Sequence, residues 1–187
     1  MAFSRLPLKR GALYGLVAYA LSYALVHLVY AGSVRRKLGQ TTVETVRGTT
    51  TVAALTSEVA VPTWKGTGWF FYGANGVPIQ VPGQTRFVSA NVLFGTDWFG
   101  YAFTAVLILL FVAGGYVTYV RTNARVGQWK YAGVGMALGY ALPMIVGAIL
   151  ISVPVRAASA GPNLLLSLVA GVAIPTIAGA IGARIAA

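Results

Sequence analysis

Apolar residues in this chain neither alternate nor recur at every third or fourth position. They come in four long blocks, at residues 11–32, 98–120, 131–153 and 164–183. A helix rises about 1.5 Å per residue, so about 20 residues cross the roughly 30 Å hydrocarbon core of a bilayer. Each block has that length. The block ends are marked by charge or by helix breakers. Lys9 and Arg10 precede the first, and Arg35, Arg36 and Lys37 follow it. Arg121 ends the second, Pro154 and Arg156 close the third, and Arg184 follows the fourth. Arg121–Arg125 and the Ala160-Gly-Pro-Asn163 stretch read as short turns. The pattern predicts an all-α membrane protein, a four-helix transmembrane bundle forming a single domain over residues 1–187, with one large extracytoplasmic loop at residues 33–97.

That loop divides into three parts. Residues 40–61 are rich in Thr and Val and read as strand or irregular helix. Pro62 then opens a segment through Tyr72 in which Trp64, Phe71 and Tyr72 share a helical face at i, i+7 and i+8. Its aromatic load, with Trp69, suits the bilayer interface, while Gly66 and Gly68 weaken a helix. Finally, the β-prone runs at 77–81 and 85–88 flank Pro82-Gly83 and read as a small hairpin.

Composition narrows the class. Of 187 residues, 57% are apolar and 9% charged, against about 25% charged in a soluble domain. Mean hydropathy is +0.75. The net charge of +11 comes from 14 Lys and Arg against 3 acids. Because the bases stand mainly at block ends, where membrane proteins keep them, the expected partner is the lipid bilayer and not nucleic acid. A long translocated loop weighs little in the basic-residue count, so both termini are expected in the cytoplasm and the protein in the plasma membrane. The first block resembles a secretory signal, but it is longer than the usual h-region and carries Tyr14, Tyr19, Tyr23 and Tyr30, which predicts a retained helix.

Candidate chemistry is sparse. There is no cysteine, the acids are Glu44, Glu58 and Asp97, and His27 is the one histidine. No nucleotide, zinc-protease or serine-hydrolase motif occurs, so catalytic residues, metal sites and cofactors are not expected. Tyr19, Tyr23, His27 and Tyr30 form one stripe at i, i+4, i+8 and i+11. Such a stripe either lines a path for a proton or solute or bonds to neighbouring helices. Gly11 and Gly15, Gly135 and Gly139, and Gly171 and Gly179 form small-residue ridges that let helix backbones approach. Their partner is another helix of the bundle, a second copy, or a larger membrane complex. Pro143 and Pro175 fall mid-span and kink their helices. Thr96 or Asp97 is placed to cap the second span. Glu44 and Glu58 read as solvated charges.

Leu8-Lys9-Arg10-Gly11-Ala12-Leu13 followed, after one span, by Trp64-Lys65, Trp69 and Phe71-Tyr72 resembles a family of small uncharacterised haloarchaeal membrane proteins, often labelled transporters. The resemblance implies four spans with one large outer loop, and it brings no activity or site residue. The chain departs from haloarchaeal habit in being basic. The expected function is therefore that of a non-catalytic accessory or structural subunit acting through helix packing. The alternative is a small transporter or channel with its path near Tyr19, Tyr23 and His27, which would need an oligomer because four helices enclose little room.

Overall fold

The computed structural model describes residues 7–45, 48–57, 60–82, 87–90, 98–122, 127–155 and 158–187. The expected cap at Thr96 and Asp97, Glu58, the turn around residues 123–125 and the Pro82-Gly83 turn fall wholly or partly outside them.

Four helices are long and apolar enough to cross a membrane. They are α1 (Leu8–Tyr30), α5 (Phe99–Thr122), α6 (Lys130–Leu150) and α7 (Leu164–Ile185), with α2, α3 and α4 lying between α1 and α5. Between 22% and 44% of the apolar window of each is buried in the protein. The remainder is a belt of aliphatic side chains, with Leu28 81%, Leu109 66% and Leu142 67% exposed. Water does not tolerate so continuous an apolar surface, whereas hydrocarbon does.

Two boundaries differ from the hydropathy pattern. The first helical path does not stop at Gly32: a 3-10 turn at Ala31–Ser33 leads into α2 (Val34–Gln40). Val34 and Leu38 of α2 are buried on one side, while Arg35 and Arg36 face out. The third helix ends at Leu150, because Val153–Val155 is a strand.

The chain forms two compact units. The helical unit comprises described residues of 1–22, 104–145 and 168–187, and so takes parts of all four long helices. Its core is Leu107, Phe111, Met136, Tyr140 and Met144. Phe111 and Tyr140 meet edge to face at 4.9 Å, a geometry their ring quadrupoles favour.

The second unit takes residues from 23–103 and 146–167. It contains α2, α3 (Val52–Leu55), α4 (Thr63–Ala74) and six short strands. β1 (Thr42–Thr45) and β2 (Gly48–Thr51) form an antiparallel ribbon. β3 (Ile79–Pro82), β4 (Phe87–Ala90), β5 (Val153–Val155) and β6 (Ala158–Pro162) form a sheet in the order β4-β3-β6-β5. β3 pairs with β4 antiparallel in the register Val81↔Val88, over strands that begin two residues later than the β-prone runs at 77–81 and 85–88. The stretch Ala160–Asn163 is not the expected turn. Most of it belongs to β6, which pairs with β5 on one side and with β3 on the other.

Candidate functional site

α4 is the centre of the second unit. Pro62 precedes its first turn, where a missing N–H costs nothing. Asn75 closes it, donating from Nδ2 to the Phe71 carbonyl at 2.8 Å. The two glycines that weaken its helix propensity serve as notches. A Cβ on Gly66 would strike Val34, and one on Gly68 would lie 2.9 Å from Ile151. Side chains at either position would push α4 away from α2 and from the chain just beyond α6.

That second contact carries two polar bonds. Trp69 Nε1 donates to the Ile151 carbonyl at 3.2 Å, and Lys65 Nζ donates to the Ser152 carbonyl at 2.6 Å. Both acceptors lie just past the C-terminus of α6, where helix carbonyls lack partners and a cation is favoured. Trp69, Phe70, Phe71 and Tyr72 are all buried. Of the four aromatics expected at the bilayer interface, Trp64 is 46% exposed, whereas Trp69, Phe71 and Tyr72 are enclosed by protein. These three form the hydrophobic core of the unit, because α4 is covered on several sides and its rings are the largest apolar groups available to fill it.

The aromatic stripe of α1 is divided. Tyr19 lies in the helical unit and packs edge-on to Tyr140 at 5.7 Å. Tyr23, His27 and Tyr30 lie in the second unit and all engage α4. Tyr30 packs on Phe70 at 5.2 Å, and Lys37 lies 5.1 Å over the Tyr30 ring. Tyr23 packs against Phe71 and lies parallel to His27 at 6.2 Å. Its hydroxyl donates to the Trp64 carbonyl at 2.8 Å. The Thr67 hydroxyl donates to the same carbonyl at 3.0 Å. With its one proton committed there, Thr67 Oγ1 can only accept from His27 Nδ1, 3.0 Å away. The arrangement therefore assigns the proton of a neutral His27 to Nδ1. Two hydroxyl protons and, through Thr67, the imidazole proton all point toward one backbone carbonyl.

A cleft of about 580 Å³ opens elsewhere in this unit, lined by Gln80, Ser152, Ser159 and Asn163 with Leu164 and Leu165. Its polar groups are neutral. The Ser152 hydroxyl is committed to the Ala148 carbonyl at 2.8 Å, and Asn163 Oδ1 caps α7 by accepting from Leu166 N at 2.9 Å. This cleft escaped sequence reading because it depends on the pairing of β6 with β3.

In the helical unit the glycine ridges meet helix backbones. Gly11 lies against Ala132 and Gly135, Gly15 against Met136 and Tyr140, and a Cβ on Gly139 would collide with the Ala12 carbonyl. Gly171 sits on Ala141 and Met144, and Gly179 on Gly133 and Met136. Gly115, Gly133 and Gly182 make equally close approaches to neighbouring helices, although they stand outside the paired ridges read from the sequence. Pro143 and Pro175 lie inside α6 and α7, four residues after Gly139 and Gly171, whose carbonyls they deprive of a helical donor.

Helix length, apolar exposure and ridge packing define the class: a multi-pass membrane protein, with four helices long and apolar enough to cross the bilayer and a partly β second unit. Residues 2–187 match the model of a family of unknown function, DUF7978, and the chain belongs to that family. No curated protein and no solved structure matches it.

Proposed function

We propose that this protein is a non-catalytic accessory or structural subunit of the plasma membrane, with its termini in the cytoplasm and α4 acting as a structural element clamped to the end of α1. The observation that carries this is the convergence of Tyr23, Thr67 and His27 on the Trp64 carbonyl. A proton relay needs each member to accept on one side and donate on the other. A backbone carbonyl donates nothing, so this chain of bonds ends where it begins to be useful. It clamps α4 to α1 and gives a proton no onward route. The glycine ridges support the same function, since backbones in contact leave no lumen along those helix pairs.

The test is flux through proteoliposomes together with the mass of the complex in mild detergent. His27→Gln, whose side chain still offers a donor to Thr67, is expected to leave both the assembly and any measured flux intact. Loss of flux in a variant that folds and inserts normally would instead promote the transporter reading. Native mass determination after co-purification is expected to show either additional copies or a larger partner.

A further inference from the structure

The helical unit carries a separate feature of its own. α1 and α5 run past each other in opposite directions: Arg10 Nη1 donates to the Arg121 carbonyl, and Tyr14 Cβ packs against the bare Cα side of Gly114. Beyond that point the two helices leave an apolar groove of about 260 Å³, walled by Tyr14, Val17 and Leu21 on α1 and by Leu110, Ala113 and Val117 on α5. Residues 14–21 cover about 10 Å of helix, against the roughly 15 Å depth of one leaflet's hydrocarbon. Lys9, Arg10 and Arg121 are exposed about a turn from the Tyr14 end. The residues of this unit include no Asp or Glu. A cationic end joined to a hydrocarbon-walled groove is complementary to one molecule already present around these helices. Its charge is a phosphate and its body an acyl or isoprenoid chain.

We propose that the α1–α5 face binds an anionic phospholipid, its phosphate held by Lys9, Arg10 and Arg121 and one hydrocarbon chain laid along the groove. Arg10 suits the role because its guanidinium has five donors and spends one on Arg121, leaving a fork for phosphate oxygens. Basic pockets between membrane helices hold phospholipid headgroups on the same principle. The site rests on the helices lying in a bilayer and is independent of any subunit role. Native mass spectrometry of the full-length protein, exchanged from detergent into mixed phosphatidylglycerol and phosphatidylcholine, tests it. Phosphatidylglycerol should be retained selectively. Arg10→Gln with Arg121→Gln should weaken its retention at about fivefold per charge removed, roughly 25-fold for the pair. Ala113→Phe, which fills the groove from an exposed position, should displace the lipid without changing charge, while Ala105→Phe, exposed on α5 outside the groove, should not. Glycerol 3-phosphate alone should not compete. Equal retention of the two lipids, retention unaffected by Ala113→Phe, competition by glycerol phosphate, or conversion of a dimer to a monomer by Ala113→Phe would each overturn the proposal, the last by assigning the groove to a second copy.

Discussion

At the scale of single residues, glycine and the hydroxyl side chains do the most specific work. Gly139 sits where α6 touches the Ala12 backbone of α1, with no room for a Cβ. Gly139→Leu is expected to cost about 1–3 kcal/mol by overpacking, read as a lowered thermal midpoint in detergent. Leu138, its neighbour, is 61% exposed, and Leu138→Ala should leave the midpoint unchanged. The polar stripe on α1 illustrates a different point. Four residues at helical spacing look equivalent in the sequence, yet Tyr19 packs on a ring of the helical unit while Tyr23 and His27 bond to α4. Their periodicity is a property of α1 alone. Their partners are chosen by what the fold brings alongside.

At the scale of elements, α4 shows how a weak helix former becomes the most buried helix in its unit. With Gly66, Gly68 and Gly73 among its 12 residues, it carries about 1 kcal/mol of penalty per glycine relative to alanine. Burial of Trp69, Phe70, Phe71 and Tyr72 outweighs this, each being worth about 1.5–3 kcal/mol or more. Trp69→Ala should therefore destabilise by about 3–5 kcal/mol. Trp69→Phe should destabilise less, since it keeps most of the area and loses the bond to Ile151, for which about 1–3 kcal/mol is the expected cost. Hydrogen exchange of the α4 amides, accelerated in the first variant more than in the second, would check the order.

At the scale of the whole molecule, the proposed topology of four crossings predicts that α2 and the start of α6 face opposite sides of the membrane. A cysteine at Gly39, which has open space around it, and one at Lys130, which is exposed, should label from opposite sides. Labelling from the same side would exclude an odd number of crossings between them and with it the proposed topology.

What the sequence determined alone is the membrane class and the four long helices. Bilayer thickness sets a length that any crossing helix must meet, and an uncharged run of that length can be read without knowing its neighbours. The β-prone runs around Pro82-Gly83 were visible for a related reason, since their signal is local. Tertiary structure alone decided the rest. β6 is built from Ala, Ser, Gly and Pro, which have little intrinsic preference for strand, and it exists because β3 and β5 supply partners on both sides. The aromatics of α4 read as interfacial because Trp and Tyr favour both headgroups and cores, and only the covering of α4 by other elements of its unit distinguishes the two. His27 and Thr67 are separated by 40 residues. No local pattern marks such a pair, because a hydrogen bond depends on position in space and a sequence records only position along the chain.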